Sequence, residues 1–590
     1  MLCGPTRAAR LDTNRAVLLA IASTWPLLLG FKCLGRATAP NSLRSDMEPA
    51  AKRLRRSSGV PGGSLDYYIQ NASSRPGPAD LEELLGWLDW LANLCFQNND
   101  EGRLRRMRMQ DILQRGFISH RDCSGKLTVE TVLNMFSELC DLPDKWLHSF
   151  RACDIDAVCQ NVILNSGTIS PCHVFSSLED RLPETHRKWI MKARPTEGTP
   201  HDVAKIAYDK IREYLIKNSK HLFSRGVHAT NCLQHPGTTC PISWVQDEDS
   251  DIAETRKPLT STAAGTPCLP WCLAGSRKTG SHHDVMTFVI WIQEAVEAKY
   301  SFICLDSAEH FEKQRFVSRV PANYLIRYMF FGPQDLGFPN RRTRTYMVAV
   351  DLDSLVWLGA TTQEAFEKDF NDMFACYVQV EADVFARSDT LTNVMRSRVD
   401  MAHDRGLYGN SSQLAALGTR ALLAGGDQER YDKYNNMLTS GSRVGLGGSF
   451  VCDISQDASE RPRAGAWLPS FTRKSVVVSL TADHVFTSNE VDAAMGWPLL
   501  TSVQSSARLQ HYCAFDFDKL SRCKRRKLAG NGQHLAQVAS FFMFVMSHCF
   551  RRAKLMQLSP NVQGFTDKRE EDDDAQPKSV FVVGLRSTGT

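Results

Sequence analysis

Apolar residues recur at helical intervals in the segment that starts at Ala79. The sequence there is ADLEELLGWLDWLANL, with apolar positions at Leu81, Leu84, Leu85, Leu88 and Leu91. This spacing places the side chains on one face of a helix. Asp80 precedes the run, where its side chain can cap the first turn. We therefore predict a helix that packs against the core, in preference to one that binds a partner.

Between Thr128 and Leu182, short apolar runs alternate with a helical pattern. TVLNMF, RACDID and CHVFSSL predict strands, and AVCQNVIL predicts a helix. Farther along, SFICLD and RTYMVAVDL predict further strands, with the helical run MTFVIWIQEAVEAKY among them. Strands that alternate with helices are typical of a parallel sheet with crossover helices, so we expect an α/β fold.

Composition and pattern together divide the chain into seven segments. We predict a leader or mis-assigned start at 1–46, a basic flexible linker at 47–78, a helical segment at 79–127, an α/β domain at 128–360 with an insertion at about 184–260, a less regular second lobe at 361–475, a return to the α/β domain at 476–560 and an acidic tail at 561–590. The apolar run LAQVASFFMFVMSHCF is too short to span a membrane and predicts a buried helix.

The N-terminus has two interpretations. The apolar run from Ala16 to Phe31 follows several arginines and resembles a secretory leader. Alternatively, Met47 is the natural start, and AKRLRR from Ala51 is a nuclear-import cluster in a Ser- and Gly-rich segment. We favour the second interpretation and expect a nuclear protein.

Charge and cysteine content narrow the function classes. The formal net charge is only +5, so no strong overall field points to nucleic acid. The 18 cysteines are scattered, which favours reduced thiols inside a cell over a disulfide framework. Cys232 and Cys240 flank His235 in CLQHPGTTC, a cluster that could contribute to a metal site. No second matching pair follows, so we predict no metal site.

The stretch GTPCLPWCLAG from Gly265 places Cys268 directly after Pro267. A buried thiol is the commonest role of a cysteine. A nucleophile on a stiff turn is the alternative, because Pro267 restricts Thr266 to an extended conformation and Gly265 leaves room for close approach. The remaining motifs decide between these two roles.

Four pieces follow one another in a distinctive order: GTPCLPWCLAG, FICLDSAEHF, LGFPNRRTRTYMVAV and GNGQHLAQVA. Their order and spacing resemble those of the cytosine-5 DNA methyltransferases, over roughly residues 128–545. Pro339, Arg342 and Arg344 match the most specific motif of that family, and FTSNEVDAAMGWP from Phe486 resembles a further one. The resemblance implies an S-adenosylmethionine-dependent methyltransferase (Rossmann-like) sheet with a smaller, irregular target-recognition lobe.

The resemblance also implies roles for the catalytic residues. Cys268 would add to C6 of a flipped cytosine so that C5 accepts a methyl group. Asp306 stands where the family has the glutamate that contacts N3, and it is one methylene shorter. Arg344 would donate to the cytosine O2, and Arg342 would support the loop.

The cofactor implied by the resemblance is S-adenosylmethionine. MFSELC falls where the family has its glycine-rich loop, and Phe136 would stack on the adenine. Asp154, followed by Ile155, would accept hydrogen bonds from the ribose. Ser177 stands where a carboxylate is expected, and Asn531 matches the last motif.

Three functions are compatible with this sequence. The first is methylation of DNA at cytosine C5. The second is a catalytically impaired relative that binds DNA or a protein partner; the shorter Asp306 and the missing glycines favour it. The third is methylation of RNA, for which the sequence gives no specific sign. We expect DNA to be the partner and no membrane association in the mature protein.

Overall fold

The computed structural model describes residues 73–143, 146–167, 169–196, 198–223, 229–244, 257–266, 285–440, 448–458, 463–513 and 515–553. The predicted leader, nearly all of the basic linker and the acidic tail lie outside these residues. The helices are α1 Leu81–Leu85, α2 Trp87–Cys95, α3 Asp100–Leu113, α4 Thr128–Cys140, α5 Ala157–Leu164, α6 Glu184–Ala193, α7 His201–Lys217, α8 Ser219–Phe223, α9 Val285–Glu297, α10 Gln314–Val317, α11 Gln363–Phe374, α12 Leu391–Asp404, α13 Ser411–Ala415, α14 Thr419–Leu422, α15 Gly425–Thr439, α16 Ser488–Ala493, α17 Gln504–Leu509, α18 Arg522–Asn531 and α19 Leu535–Ser547. The strands are β1 Phe117–Asp122, β2 Leu147–Cys153, β3 His173–Phe175, β4 Ala229–Asn231, β5 Thr239–Pro241, β6 Leu259–Gly265, β7 Phe302–Ala308, β8 Tyr324–Phe331, β9 Arg344–Asp351, β10 Leu355–Trp357, β11 Val451–Asp453, β12 Ala464–Gly465, β13 Val477–Ser479, β14 His484–Val485 and β15 Cys549–Arg551.

The largest sheet has the strand order β3-β2-β1-β6-β7-β9-β8. Strand β9 is antiparallel to both of its neighbours, and the other adjacent pairs are parallel. The chain builds outward from β1 to β3 and then crosses back to β6, so the strand order reverses between β1 and β6. Ligands of doubly wound sheets bind at the carboxyl ends of the strands at such a reversal. The predicted Rossmann-like α/β fold class is confirmed.

Helices cover both faces of this sheet. On one face, α19 packs against α2, α3 and α4, and on the other α9 packs against α7 and α8. Every residue of α19 is buried, which confirms that LAQVASFFMFVMS is a core helix. Within the described ranges, no helix combines the length and apolar character that crossing a membrane requires.

The helix predicted from Ala79 is present but is divided at Gly86 into α1 and α2. Asp80 caps α1, because its side chain accepts a hydrogen bond of 2.9 Å from the backbone N–H of Glu83. Leu84, Leu85, Leu88 and Leu91 are all buried. The predicted cap and the predicted core-facing side of this helix are both confirmed.

The first strand of the sheet is not where the sequence placed it. TVLNMF belongs to helix α4, and the strand is the preceding FISHRD of β1. Val129, Val132, Leu133 and Phe136 recur at three- and four-residue intervals, which is the helical period. The predicted strand in TVLNMF is therefore wrong, whereas RACDID and CHVFSSL do contribute to β2 and β3.

Strand β1 escapes a hydropathy reading because its buried side chains are polar. Asp122 accepts hydrogen bonds from Arg151 at 2.9 Å and from Arg181 at 2.8 Å. Glu294 of α9 pairs with the same two arginines, and all four side chains are at most 2% exposed. Buried charges of this kind require such complete pairing. The polar carboxyl end of β1 can therefore be buried only because other parts of the chain supply the opposite charges.

The smaller lobe contains regular elements. Its sheet has the order β12-β11-β13-β14, and helices α12 to α15 lie in the same part of the chain. Apolar residues from both groups, including Met401, Tyr434 and Val478, form a separate buried cluster. This lobe therefore has its own core.

Candidate active site

The candidate site lies at the carboxyl ends of β1, β2, β6 and β7, where the strand order reverses. The turn after β1 runs from Cys123 to Leu127 and contains Gly125. Cys123, Gly125 and Leu127 all have positive φ angles, of 53°, 54° and 60°. A Cβ added to Gly125 would meet no atom of the described residues within 4 Å, so on their side the backbone of this turn faces open space. A small ligand can approach such a turn closely.

The predicted location of the cofactor loop in MFSELC is therefore wrong. Phe136 is fully buried in the middle of α4 and has no surface to stack on a ligand. The turn that follows the first strand is CSGKL, with the glycine that MFSELC lacks. The error follows from the misplacement of the strand by one element.

Asp154 and Ile155 follow β2 and lie beside this turn. The Asp154 carboxylate accepts hydrogen bonds of 2.9 Å from the backbone N–H groups of Gly125 and Asp156. Burial raises the pKa of Asp154, although these two hydrogen bonds oppose the shift. The side chain of Ile155 is 81% exposed, which is unusual for a large apolar residue. The pair offers a carboxylate and an apolar surface at the same edge of the sheet.

The other two predicted cofactor residues, Ser177 and Asn531, differ in their exposure. Ser177 lies just after β3 and is buried, and its hydroxyl accepts a hydrogen bond of 3.0 Å from the backbone N–H of Asp180. Asn531 is exposed at the end of α18. That helix is tied to the sheet because Asp156 pairs with Lys527 at 2.5 Å and with Arg473 at 2.9 Å.

Asp306 lies at the centre of the carboxyl edge. It is directly opposite Gly265 of β6 on one side and Tyr346 of β9 on the other. Arg344 is opposite Ala308, two residues beyond Asp306 on the same strand. The backbone register therefore brings the predicted acid and one predicted arginine to the strand end that leads into the Cys268 segment.

The Asp306 carboxylate has an unusual environment. Its Oδ1 atom is buried and has no hydrogen-bond partner among the described residues, and the Gln533 side chain lies close to the carboxyl group. Burial raises the pKa of Asp306, and the nearby charges of Arg344 and Arg342 only partly oppose this shift. Asp306 also lines a cavity of about 10 Å³ with Tyr346, Gln533 and Arg121, which is about the room that one water molecule needs. The carboxyl group is thus held in a protonatable, solvent-shielded position.

The two predicted arginines differ in how their guanidinium groups are used. Arg342 is buried and donates to the carbonyl oxygens of Phe471, Gly530 and Gly532, at 3.3 Å and 3.2 Å for the first two. It therefore holds the segment between α18 and α19. Arg344 is half-buried and donates to the carbonyl oxygen of Thr343 at 3.0 Å. Among the described residues, the Arg344 guanidinium makes no other hydrogen bond, so its remaining N–H groups can serve a ligand.

Cys268 itself lies outside the described residues, as does the rest of 267–284. Gly265 is the last residue of β6, and the undescribed segment begins shortly after it. A Cβ on Gly265 would lie 3.5 Å from the carbonyl oxygen of Cys123 and 4.0 Å from Nε2 of Gln533. The turn after β1, the end of β6 and the Asp306 environment therefore converge.

A buried ion-pair cluster at the turn after β1 was missed by the sequence interpretation. Lys126, in the turn after β1, pairs with Asp492 of α16, and Asp492 also accepts from Arg525 of α18 at 2.7 Å. The Lys126 ammonium lies 5.3 Å and 5.1 Å from the ring centroids of Trp497 and Phe517. The FTSNEVDAAMGWP motif contains Asp492 and Trp497, so the sequence marked these two residues. It did not indicate that they contact Lys126. This contact fixes the turn that borders the candidate ligand space.

Comparison with known proteins gives structural neighbours but no sequence relatives. No family model and no curated protein matches the chain. A DNMT2 mutant of Spodoptera frugiperda and the methyltransferase EhMeth of Entamoeba histolytica are both 11% identical to it, with TM-scores of 0.31 and 0.32. These matches cover 73% of this chain and 99% and 97% of those chains. The Dnmt2 methyltransferase of S. pombe is 11% identical with a TM-score of 0.28, over 76% of this chain and 99% of that chain. At TM-scores of this size, the chemistry has to be inferred from the residues of the site.

Proposed function

We propose that this protein is a cytosine-5 methyltransferase that acts on DNA. The observation that carries the proposal is the position of Asp306, a buried carboxyl group between the end of β6 and Tyr346, with Arg344 across the same strand end. Cys268 follows Gly265 of β6 by three residues in the sequence. Addition to a cytosine ring requires a thiol, an acid and a guanidinium. The strand edge holds the acid and the guanidinium, and Cys268 is the thiol that the sequence offers just beyond β6.

S-adenosylmethionine fits the neighbouring part of the edge. Gly125 has an open approach, Asp154 supplies a carboxylate and Ile155 supplies an exposed apolar surface. These three residues would hold the nucleoside part of the molecule. When bound, S-adenosylmethionine supplies an electrophilic methyl group.

The chain's own residues would activate the base. The Cys268 thiolate adds to C6, and the negative charge that builds up on the ring is relieved by a proton at N3. Asp306 supplies that proton or a hydrogen bond, because its raised pKa keeps the acid form populated to higher pH. Arg344 donates to O2, and C5 is then enamine-like and accepts the methyl group. The C5 proton passes to solvent as the thiolate leaves C6, and N3 returns its proton to Asp306, which restores the aromatic ring and the enzyme.

Trapping with DNA that contains 5-fluorocytosine tests this mechanism. Fluorine at C5 blocks the final elimination, so an active enzyme stays covalently attached to the DNA in the presence of S-adenosylmethionine. We expect the wild type to form an adduct that survives denaturing electrophoresis and Cys268→Ser to form none. Cys272→Ser is the matched control, because it removes a thiol from the same segment and should leave the adduct intact.

A catalytically impaired DNA-binding protein is the second candidate. Asp306 is one methylene shorter than glutamate, which costs about 1.5 Å of reach, and the Ser177 hydroxyl accepts from a backbone N–H where a carboxylate was expected. This candidate predicts DNA binding without any covalent adduct. If the wild type shows no binding of S-adenosylmethionine in calorimetry and forms no adduct, the methyltransferase proposal is wrong.

A further inference from the structure

Four side chains of types that bind metals meet beside β3, an edge strand of the main sheet. They are His173 of β3 and Cys232, His235 and Cys240 of the β4–β5 hairpin, and the two cysteines pack in one buried cluster with Cys153, which precedes Asp154. One ligand atom from each residue lies within 4.8 Å of all the others. Only three of these residues are close together in the sequence, which is why the spacing gave no complete ligand set.

The backbone brings the hairpin onto the edge strand. The N–H of Leu233 donates to the carbonyl oxygen of Val174 at 2.8 Å, and the N–H of Val174 donates to the Cys232 sulfur at 3.4 Å. Between the ligands, Gly237 has a φ of 78°, a turn conformation that favours glycine. These contacts fix Cys232 beside His173.

The side chains are poorly explained by packing alone. Cys232 and Cys240 are only 4% and 6% exposed, and the Cys240 sulfur lies 3.3 Å from Nδ1 of His235. The Nδ1 atom of His173 is buried and has no hydrogen-bond partner among the described residues. Two thiols and two imidazoles around one point form a ligand set.

We infer that these four residues bind a structural zinc ion. Zinc in proteins is tetrahedral, with bonds of about 2.3 Å to sulfur and about 2.0–2.1 Å to nitrogen. These bond lengths put ligand atoms about 3.3–3.8 Å apart, within the observed limit of 4.8 Å. Two cysteines and two histidines fill all four positions, so the ion has no open position for substrate.

The zinc would attach the insertion to β3. An edge strand exposes unpaired backbone groups, and a covering hairpin protects them. Ser177 lies just beyond the other end of β3, so the same attachment also stiffens the strand that borders the proposed cofactor site. This inference does not depend on methyltransferase activity.

Metal analysis of the full-length protein tests the inference. We expect about one zinc per chain by mass spectrometry of the purified protein, and loss of that zinc in a Cys232→Ser/Cys240→Ser variant. His173→Gln should weaken zinc binding at least ~10-fold in competition with a chelator, since even outer-shell partners contribute ~10–100-fold. Cys172→Ser is the matched control: this thiol adjoins His173 in sequence but is not in the cluster, and zinc should be retained.

Cobalt substitution supplies a second readout, because a tetrahedral site with thiolate ligands gives intense visible and near-ultraviolet bands. These bands should disappear in the double serine variant. Wild-type protein without stoichiometric metal would overturn the inference. So would equal zinc affinity in wild type and His173→Gln, which remains testable if the double variant does not fold. A Cys232–Cys240 disulfide in freshly purified protein would overturn it as well.

Discussion

Loss of the Asp492 carboxylate should destabilise the protein far more than loss of a surface carboxylate. The Asp492 side chain is 1% exposed and pairs with two buried cations, Lys126 and Arg525. Asp492→Asn keeps the shape of the side chain but leaves both cations without this negative charge. Arg525 retains Asp518 at 3.3 Å, so the uncompensated charge falls mainly on Lys126.

Breaking a buried ion pair costs about 3–5 kcal/mol. Because Arg525 keeps one partner, we expect the lower end, about 3 kcal/mol. With a urea m-value of about 3 kcal/mol per molar, this lowers the midpoint of denaturation by roughly 1 M. Asp432→Asn is the matched control, because its pair with Arg420 is about half exposed and such pairs contribute about 0–1 kcal/mol.

Urea denaturation followed by tryptophan fluorescence measures the difference. A second variant, Asp492→Asn with Lys126→Met, should recover part of the loss, since Trp497 and Phe517 give the new side chain apolar contacts. Asp492→Asn should also weaken S-adenosylmethionine binding, because Lys126 belongs to the turn after β1. If Asp492→Asn and Asp432→Asn shift the midpoint equally, the buried pair does not stabilise the fold as argued.

Three further predictions concern the site and its surroundings. Asp306→Glu should raise the rate of methyl transfer, because the longer side chain restores the reach to N3. In the wild type, the rate should fall as the pH rises through the raised pKa of Asp306, and Asp306→Asn should remove this fall. Burial lowers the pKa of His534 to about 3 and that of His548 to about 4, from 6.5, so the unfolded chain binds more protons and stability should decrease below pH 6.5; His534→Leu should flatten this decrease in denaturation series at several pH values. Gly530→Ala places a Cβ 2.3 Å from backbone atoms and should cost about 1–3 kcal/mol. Gly418→Ala is the control, because its Cβ would meet no atom of the described residues within 4 Å; Gly418 is an N-cap, so this change should cost less than about 1 kcal/mol in the same assay.

Elements with a clear apolar period were predictable from the sequence. Helices α5 and α19 and strands β7 and β9 lie where AVCQNVIL, LAQVASFF, SFICLD and RTYMVAVDL placed them. Strand β1 was not predictable in this way, because Ser119, His120, Arg121 and Asp122 are polar and yet buried. Their burial depends on charges supplied by distant parts of the chain, which local hydropathy does not contain.

The candidate site was predictable where a motif fixes it and unpredictable where partners come from afar. Asp306 and Arg344 follow from short motifs that end or begin strands, and the structure brings them to one edge. The cofactor turn was assigned one element too late, although the glycine in CSGKL was visible. His173 was beyond reach, because only the docking of the hairpin on β3 brings it to Cys232.

The contact between Lys126 and Asp492 also has a consequence in time. The two residues are separated by 366 positions in the chain. At a synthesis rate of about 5–20 residues per second, Asp492 is made roughly 20–70 s after Lys126. Throughout that interval the turn after β1 lacks its counter-charge, so the nascent chain cannot complete its ligand-binding edge until its last helices emerge.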